Sequence, residues 1–478
     1  MITSKLTSLA LLAMLPVAAF AKSEQTADSS SQSPYLVPAR KNVLTRSIIT
    51  AGDAVNYKSD GVTPYRMVGI PDGLGAFDNN DGTFTVLMNH ELTNTVGIVR
   101  DHGFKGAFVS KWIIDKETLT ALHGEDLIKS AYRWDVPTQS YKPLAGATSR
   151  FCSADLAPIT AFYNPETGAG YNGRIFMDGE ENGPGGRAFG HFMDGNSYEL
   201  PAIGKCSFEN AVANPATGDK TVIATTDDTG GGQVAVYVGT KTVSSDRIVA
   251  AGLSGGTLYG VKVTSLAAES DATVFTTGAF TLAPLGDVTN LTGAQIDTAH
   301  ATAGSTGFNR PEDACWDPSN PNDLYFVTTA SFTGKSRLWR LHFADPANPT
   351  AGGTATILID GSNPNGPKMM DNITVNKRGT ILIQEDVGNQ AHIGKLWRYY
   401  IPTGTLEVIA QHDPDRFTPG ARGFLTQDEE SSGIIPMDDI LGEGWYLLDV
   451  QAHFGSDAEL VEGGQLIGLH FAPGQETK

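Results

Sequence analysis

An all-β fold, a six-bladed β-propeller with loop insertions, is the architecture this sequence predicts, and three observations carry that prediction. Six times along the chain a short apolar run closes on polar, mostly acidic residues. Upstream of each run lies a turn, and upstream of the turn another short strand that itself begins on polar residues. After several of these hairpins a second one follows, so the repeating unit has four antiparallel strands, and continuous helical patterning is scarce.

The units follow in order. The run 86–88 ends in Asn89-His90-Glu91, and 175–177 ends in Asp178-Gly179-Glu180-Glu181. The run 222–224 leads to Asp227-Asp228, and 324–327 to Thr328-Thr329. The run 381–383 ends in Gln384-Glu385-Asp386, and 445–448 in Asp449-Val450-Gln451-Ala452-His453. The partner strands start near Asp72, Asp155, Glu209, Glu312, Asp371-Asn372 and Glu430. Between them lie segments of strong turn composition at 78–82, 164–168, 214–219, 317–323, 376–379 and 436–444. The long stretch from Gly239 to Phe308 predicts an insertion over one face. The last unit ends at 465–471, one strand short, and residues 43–49 would supply that strand and close the ring. Closure removes exposed sheet edges. Two packed β-sandwiches are the rival architecture, but they do not predict the repeated polar strand edges.

Residues 1–21 read as a secretory signal: Lys5, an apolar core at 6–18, and Ala19-Phe20-Ala21 as a small-residue cleavage site. Residues 22–34 are Ser-rich and read as a disordered polar lead-in, leaving 35–478 as the propeller domain. No later apolar stretch is long enough to span a bilayer. A periplasmic or secreted monomer is expected. The formal net charge of −19 repels nucleic acid and anionic membranes, so neither is an expected partner, and it attracts divalent cations. Three cysteines are too few for a disulfide framework. Cys315 reads as core packing and Cys206 is left unassigned. Cys152 stands beside one of the polar edges, where an idle thiolate would be oxidised, so a metal-bound role is considered.

In an antiparallel hairpin the start of the first strand and the end of the second share an edge, so six hairpins gather a dozen oxygen-rich positions on one face. Carboxylates, amide oxygens and backbone carbonyls are what Ca²⁺ selects, and a thiolate among them shifts preference toward a transition metal. A single Asp or Asn at a strand end also makes an Asx turn. The repetition over six units, with the doublets Glu180-Glu181 and Asp227-Asp228, is what favours cations. Arg310 would complement an anion such as phosphate, or else pair with Glu312 or Asp313. No Gly-rich loop ending in Gly-Lys-Ser/Thr is present.

From Asp72 to His453 the ordered motifs resemble the PhoX-type alkaline phosphatases. They run Asn89-His90-Glu91, Cys152 followed by Gly179-Glu180-Glu181, Glu209-Asn210-Ala211-Val212-Ala213, Asp227-Asp228, Arg310-Pro311-Glu312, Asp371-Asn372, Glu385-Asp386 and Val450-Gln451-Ala452-His453. The resemblance implies a secreted propeller whose mouth holds Fe³⁺ and Ca²⁺ and hydrolyses small phosphomonoesters. It implies that Cys152 binds iron, that Glu209 and Glu312 are bridging carboxylates with a catalytic part, and that Arg310 contacts phosphate. Glu91, Glu180, Asp228 and Glu430 would hold or border cations, and Asn372 and Glu385 complete the candidate ligand set. The sequence departs where the family has Cys-Glu-Glu and His-Glu: here stand Gly179-Glu180-Glu181 and Phe208-Glu209, with Ser153-Ala154-Asp155 after the cysteine. The alternatives are a Ca²⁺-dependent lactonase-like hydrolase, which would need only calcium and a carboxylate or His base, and a non-catalytic propeller stiffened by calcium.

Overall fold

The computed structural model describes residues 25–472 and 474–476, so the expected signal at 1–21 lies outside the described residues. Six sheets are arranged around an axis. From the axis outward, the first contains Pro71–Asp78, Thr83–His90, Phe108–Asp115 and Ala121–Asp126. The second contains Phe151–Asp155, Ile175–Glu180, Ala188–Phe192 and Asn196–Glu199, widened by the hairpin Ser130–Asp135 and Ser140–Pro143. The third is Phe208–Ala213, Lys220–Asp227, Val234–Thr240 and Thr257–Val263, and the fourth Pro311–Trp316, Asp323–Thr328, Arg337–Phe343 and Gly353–Ile359. The long strand Thr277–Gly286 pairs with the outer strands of both, joining them into nine strands.

The fifth sheet is Met370–Val375, Thr380–Glu385, Lys395–Tyr400 and Thr405–His412, with Leu36–Pro38 on its outer edge. The sixth is Glu429–Pro436, Trp445–Ala452 and Gly463–Phe471, completed by Val43–Thr50. That N-terminal strand pairs antiparallel from Val43 opposite Phe471 to Thr50 opposite Gln465, the closure expected from the sequence. Each inner strand lies against the next, and the sixth returns to the first, so the ring is closed and the sandwich alternative falls. The second strands from the axis are buried on both faces, which is why they read as short apolar runs rather than alternating ones. Cores form between neighbouring sheets; Ile48, Leu74, Phe84, Trp112 and Leu447 fill the one between the sixth and the first.

Two features differ from expectation. The lead-in is docked where it is described: Ser47 N–H donates to Gln25 O, Ala27 N–H to Ser47 O, and Ser29 Oγ to Ile48 O. Ala27 is buried. Polar composition suggested disorder, but these hydroxyls and backbone groups satisfy the outer edge of the closing strand. The insertion between Gly239 and Phe308 contains a helix, Gly293–Ala303, started by a Thr292/Gln295 capping box and ended by Gly304 at φ 70°. No helix among the described residues is long and apolar enough to cross a membrane.

Candidate metal centre

The mouth of the ring is built by a repeated irregularity. In the first five inner hairpins the strand register slips just after the opening pair: Pro71 faces His90, and the next pair is Leu74 with Met88. The same slip separates Phe151 from Ala154, Phe208 from Ala211, Pro311 from Ala314 and Met370 from Ile373. Two residues then oppose one, and each bulge re-aims its side chains toward the axis. The bulged pairs are Asp72-Gly73, Cys152-Ser153, Glu209-Asn210, Glu312-Asp313 and Asp371-Asn372. Four residues just before an inner strand take positive φ without being glycine: Ile70 at 49°, Arg150 at 49°, Arg310 at 62° and Met369 at 43°. Such conformations are costly and persist where surrounding structure enforces them.

Three groups of potential ligands result, each with its donor atoms within 4.8 Å of one another: Asp72, Glu91 and Cys152; Cys152, Glu181 and Glu209; and Glu209, Glu312 and Asp371. They are linked in a chain through Cys152 and Glu209. Cys152 Sγ lies 3.0 Å from Glu209 Oε2 and 3.4 Å from Asp72 Oδ2. One thiol proton serves only one of those carboxylates. Burial first, then the neighbouring carboxylates, raises the pKa values of Asp72, Glu312 and Asp371 well above the usual carboxylate range, and burial raises that of Glu209 to about 8 against the hydrogen bonds it accepts from Ser153 and Cys152. Burial and the neighbouring carboxylates also raise the Cys152 thiol. A bound cation removes this conflict, and a sulfur among oxygens suits a transition metal beside calcium-type positions. The donor set fits both ions named by the resemblance.

Two arginines stand over this bed. Arg310 donates to both Asp228 oxygens at 2.8 and 2.6 Å and to Glu312 Oε1 at 3.1 Å. Arg150 donates to Glu91 Oε1 at 2.7 Å and pairs with Glu181. Their side chains are 36% and 43% exposed while their carboxylate partners are at most 12% exposed, so the guanidinium faces remain open to the mouth.

Of the residues expected at the site, Glu91, Cys152, Glu209 and Glu312 fall inside the three groups. Asp228 and Arg310 form the rim pair. Glu430 is nearby, accepting from Ser432 Oγ at 2.5 Å with His453 Nε2 at 3.6 Å. Asn372 acts at one remove: its Nδ2 donates to Ser153 Oγ, which donates to Glu209 Oε1 at 2.5 Å. Two expected ligands are placed elsewhere. Glu180 is held by Arg187 at 2.6 and 2.7 Å and by Ser149 N–H, so it braces the second sheet. Glu385 accepts from Trp397 Nε1, from the N–H groups of Lys368 and Lys395, and lies 2.8 Å from His392. In both the oxygens are already taken by protein partners. The groups contain instead Glu181, one residue on from Glu180, and Asp371, one residue before Asn372. Asp72 also joins the groups. All three were visible as strand edges or doublets; what the sequence did not show was which neighbour the bulge turns inward.

The two departures from the resembled pattern pack on one another. A Cβ placed on Gly179 would lie 2.3 Å from Phe208 Cβ and 2.6 Å from its ring. Glycine at 179 is therefore what admits the Phe208 side chain beside Glu180-Glu181 and Glu209.

No protein-family model matches the sequence, and no curated protein matches it. Among solved structures, the fold is similar to that of Pseudomonas fluorescens PhoX in complex with vanadate, a transition-state analogue: TM-score 0.67 at 11% identity, covering 94% of this chain and 98% of that one. A luciferin-regenerating enzyme (TM-score 0.34, 9% identity, 84% and 92% covered) and a protein assigned as a gluconolactonase (0.33, 10%, 91% and 97%) align only loosely.

Proposed function

We propose that this chain is a metal-dependent phosphomonoesterase of the PhoX type. The observation that carries the reading is the linked run of three ligand groups, with one buried cysteine shared between carboxylates and two open arginines above it. Support comes from the likeness in fold to a protein solved with vanadate.

In this reading Asp72, Glu91, Cys152, Glu181, Glu209, Glu312 and Asp371 hold iron and calcium ions, which when bound act as Lewis acids on phosphoryl oxygens. Arg310 turns its open face to the phosphoryl group and stabilises the charge that spreads over it in the transition state. Its pairing with Asp228 and Glu312 fixes the guanidinium plane, so little reorganisation accompanies binding. Arg150 does the same from the opposite rim, through Glu91 and Glu181. Ser153 and Asn372 orient Glu209 by a hydrogen-bond relay that leaves its second oxygen, Oε2, facing Cys152 Sγ at 3.0 Å.

The test is hydrolysis of p-nitrophenyl phosphate by protein loaded with iron and calcium, before and after EGTA. Turnover lost with EGTA and restored by calcium is expected. Loaded protein that leaves phosphate esters intact while opening a lactone would replace this reading with the calcium-only hydrolase.

A further inference from the structure

Where the ring closes, between the first and last sheets, lies a set of unpartnered oxygens beside the first ligand group, to which one of them, on Asp72, belongs. Asp449 is fully buried, and neither of its carboxylate oxygens accepts a hydrogen bond from any described group of the protein. Asp72 Oδ1 and Gln451 Oε1 are buried and unpartnered in the same way.

Register places the residues of the last sheet on one face. In the last inner hairpin Asp449 faces Ser432 and Gln451 faces Glu430. Paired residues, and residues two apart on a strand, share a face, so these four side chains emerge on one side of the sixth sheet. Gln451 Nε2 ties that side to the first sheet, donating to Glu91 Oε2 at 3.0 Å and reaching Asp72 Oδ2 at 3.3 Å. It also meets Ser432 Oγ at 3.0 Å, which leaves the amide oxygen turned away from those contacts. Gly433, the extra residue of this hairpin, admits the close approach: a Cβ there would meet Asp72 O at 2.6 Å.

Unpaired buried carboxylate oxygens are strongly disfavoured, and hard oxygens without nitrogen or sulfur are the donors of a calcium-type ion. We propose that Asp449, with Asp72 Oδ1 and Gln451 Oε1, holds a further divalent cation of the calcium class at the seam between the first and last sheets. Asp449 lies on Trp445–Ala452, whose neighbour Gly463–Phe471 carries the N-terminal closing strand. The ion therefore clasps the ring at this seam, sharing Asp72 with the first ligand group.

The experiment is elemental analysis of desalted, metal-loaded protein, with calcium and iron counted per chain, for wild type and Asp449→Asn. One calcium fewer with iron unchanged is expected, together with a smaller calcium-dependent rise in melting midpoint. Equal calcium in both proteins overturns the proposal. Should the asparagine variant not fold, hydrogen exchange on the wild type decides. Calcium added to iron-loaded, calcium-free protein should slow exchange along Trp445–Ala452 relative to Lys395–Tyr400 in the fifth sheet. Equal slowing of both, or none, overturns it. Neither readout requires turnover, so an inactive protein would count against the phosphatase reading alone.

Discussion

Cys152 is the residue on which the candidate centre turns, because it belongs to two of the three ligand groups and nothing else there is soft. Cys152→Ser should lose iron while retaining most calcium, read by elemental analysis and by loss of any visible charge-transfer band; unchanged iron would remove the cysteine from the centre. The adjacent glutamates give a sharper contrast. Glu181→Gln takes a ligand from the mouth and should lower metal content and turnover with little effect on folding. Glu180→Gln breaks a buried bidentate pair with Arg187 and should cost about 3 kcal/mol of stability, in line with other buried pairs that lose one partner, while leaving the metal count intact. Among the arginines, Arg310→Ala should lower kcat by roughly a hundredfold or more, the scale seen when a donor to a developing charge is removed. At this scale the sequence reading comes within one residue of the geometry: Glu91, Cys152, Glu209 and Glu312, expected as ligands, lie in the three groups, while Glu180 and Asn372 stand beside Glu181 and Asp371, which lie in them. Side chains on a strand alternate faces, so an unseen bulge moves each assignment by one position.

At the level of strands and sheets, the hairpins, their turns and the closing strand were all readable, since turn composition and apolar runs mark them directly. The bulges were not, because one extra residue leaves no trace in hydropathy. Nor was the docking of residues 25–34, whose polar side chains bond to a strand edge rather than to water. The bulged design also explains why Gly73 is glycine: a Cβ there would lie 2.4 Å from Ala154 N, on the neighbouring inner strand that carries Cys152. The Gly179 and Phe208 pair allows a test of coupling between adjacent sheets. Gly179→Cys alone should destabilise by overpacking, on the order of 1–3 kcal/mol, because its new Cβ meets Phe208. Adding Phe208→Gly, which removes the Cβ and ring that the new Cβ meets, should return part of that loss, so denaturant midpoints of the four proteins in the cycle would be non-additive. Additive effects would mean that the two departures arose independently of one another's volume.

For the whole molecule, the ring concentrates acids that folding makes harder to ionise, and this fixes how stability without metal depends on pH. Burial raises Asp155 and Asp386 to about 7 and Asp313 to about 6, with neighbouring carboxylates adding to Asp386 and Asp313's neighbour Glu312; Glu209 reaches about 8, and Asp72 and Asp371 move the same way. An acid with a raised folded-state value binds protons more tightly folded than unfolded. Its contribution is complete below the unfolded value near 4 and is lost as pH climbs through the folded value. His453 reinforces the trend: burial opposes its charge, but Glu430 and Glu462 outweigh that and raise it to about 11, so its stabilising charge is also lost only as pH rises. Glu430 runs the other way, held low by His453 and Ser432 against the effect of burial, and it limits stability only at the acid end. Metal-free protein should therefore melt highest near pH 5 and at steadily lower temperature from there to pH 9. Cations displace those protons, so metal-loaded protein should reverse the slope and gain most at alkaline pH. Calorimetry of both forms from pH 4 to 9 measures the difference. A metal-free midpoint that holds level from pH 5 to 9 would mean that these carboxylates ionise freely in the folded ring and do not require cations to neutralise them.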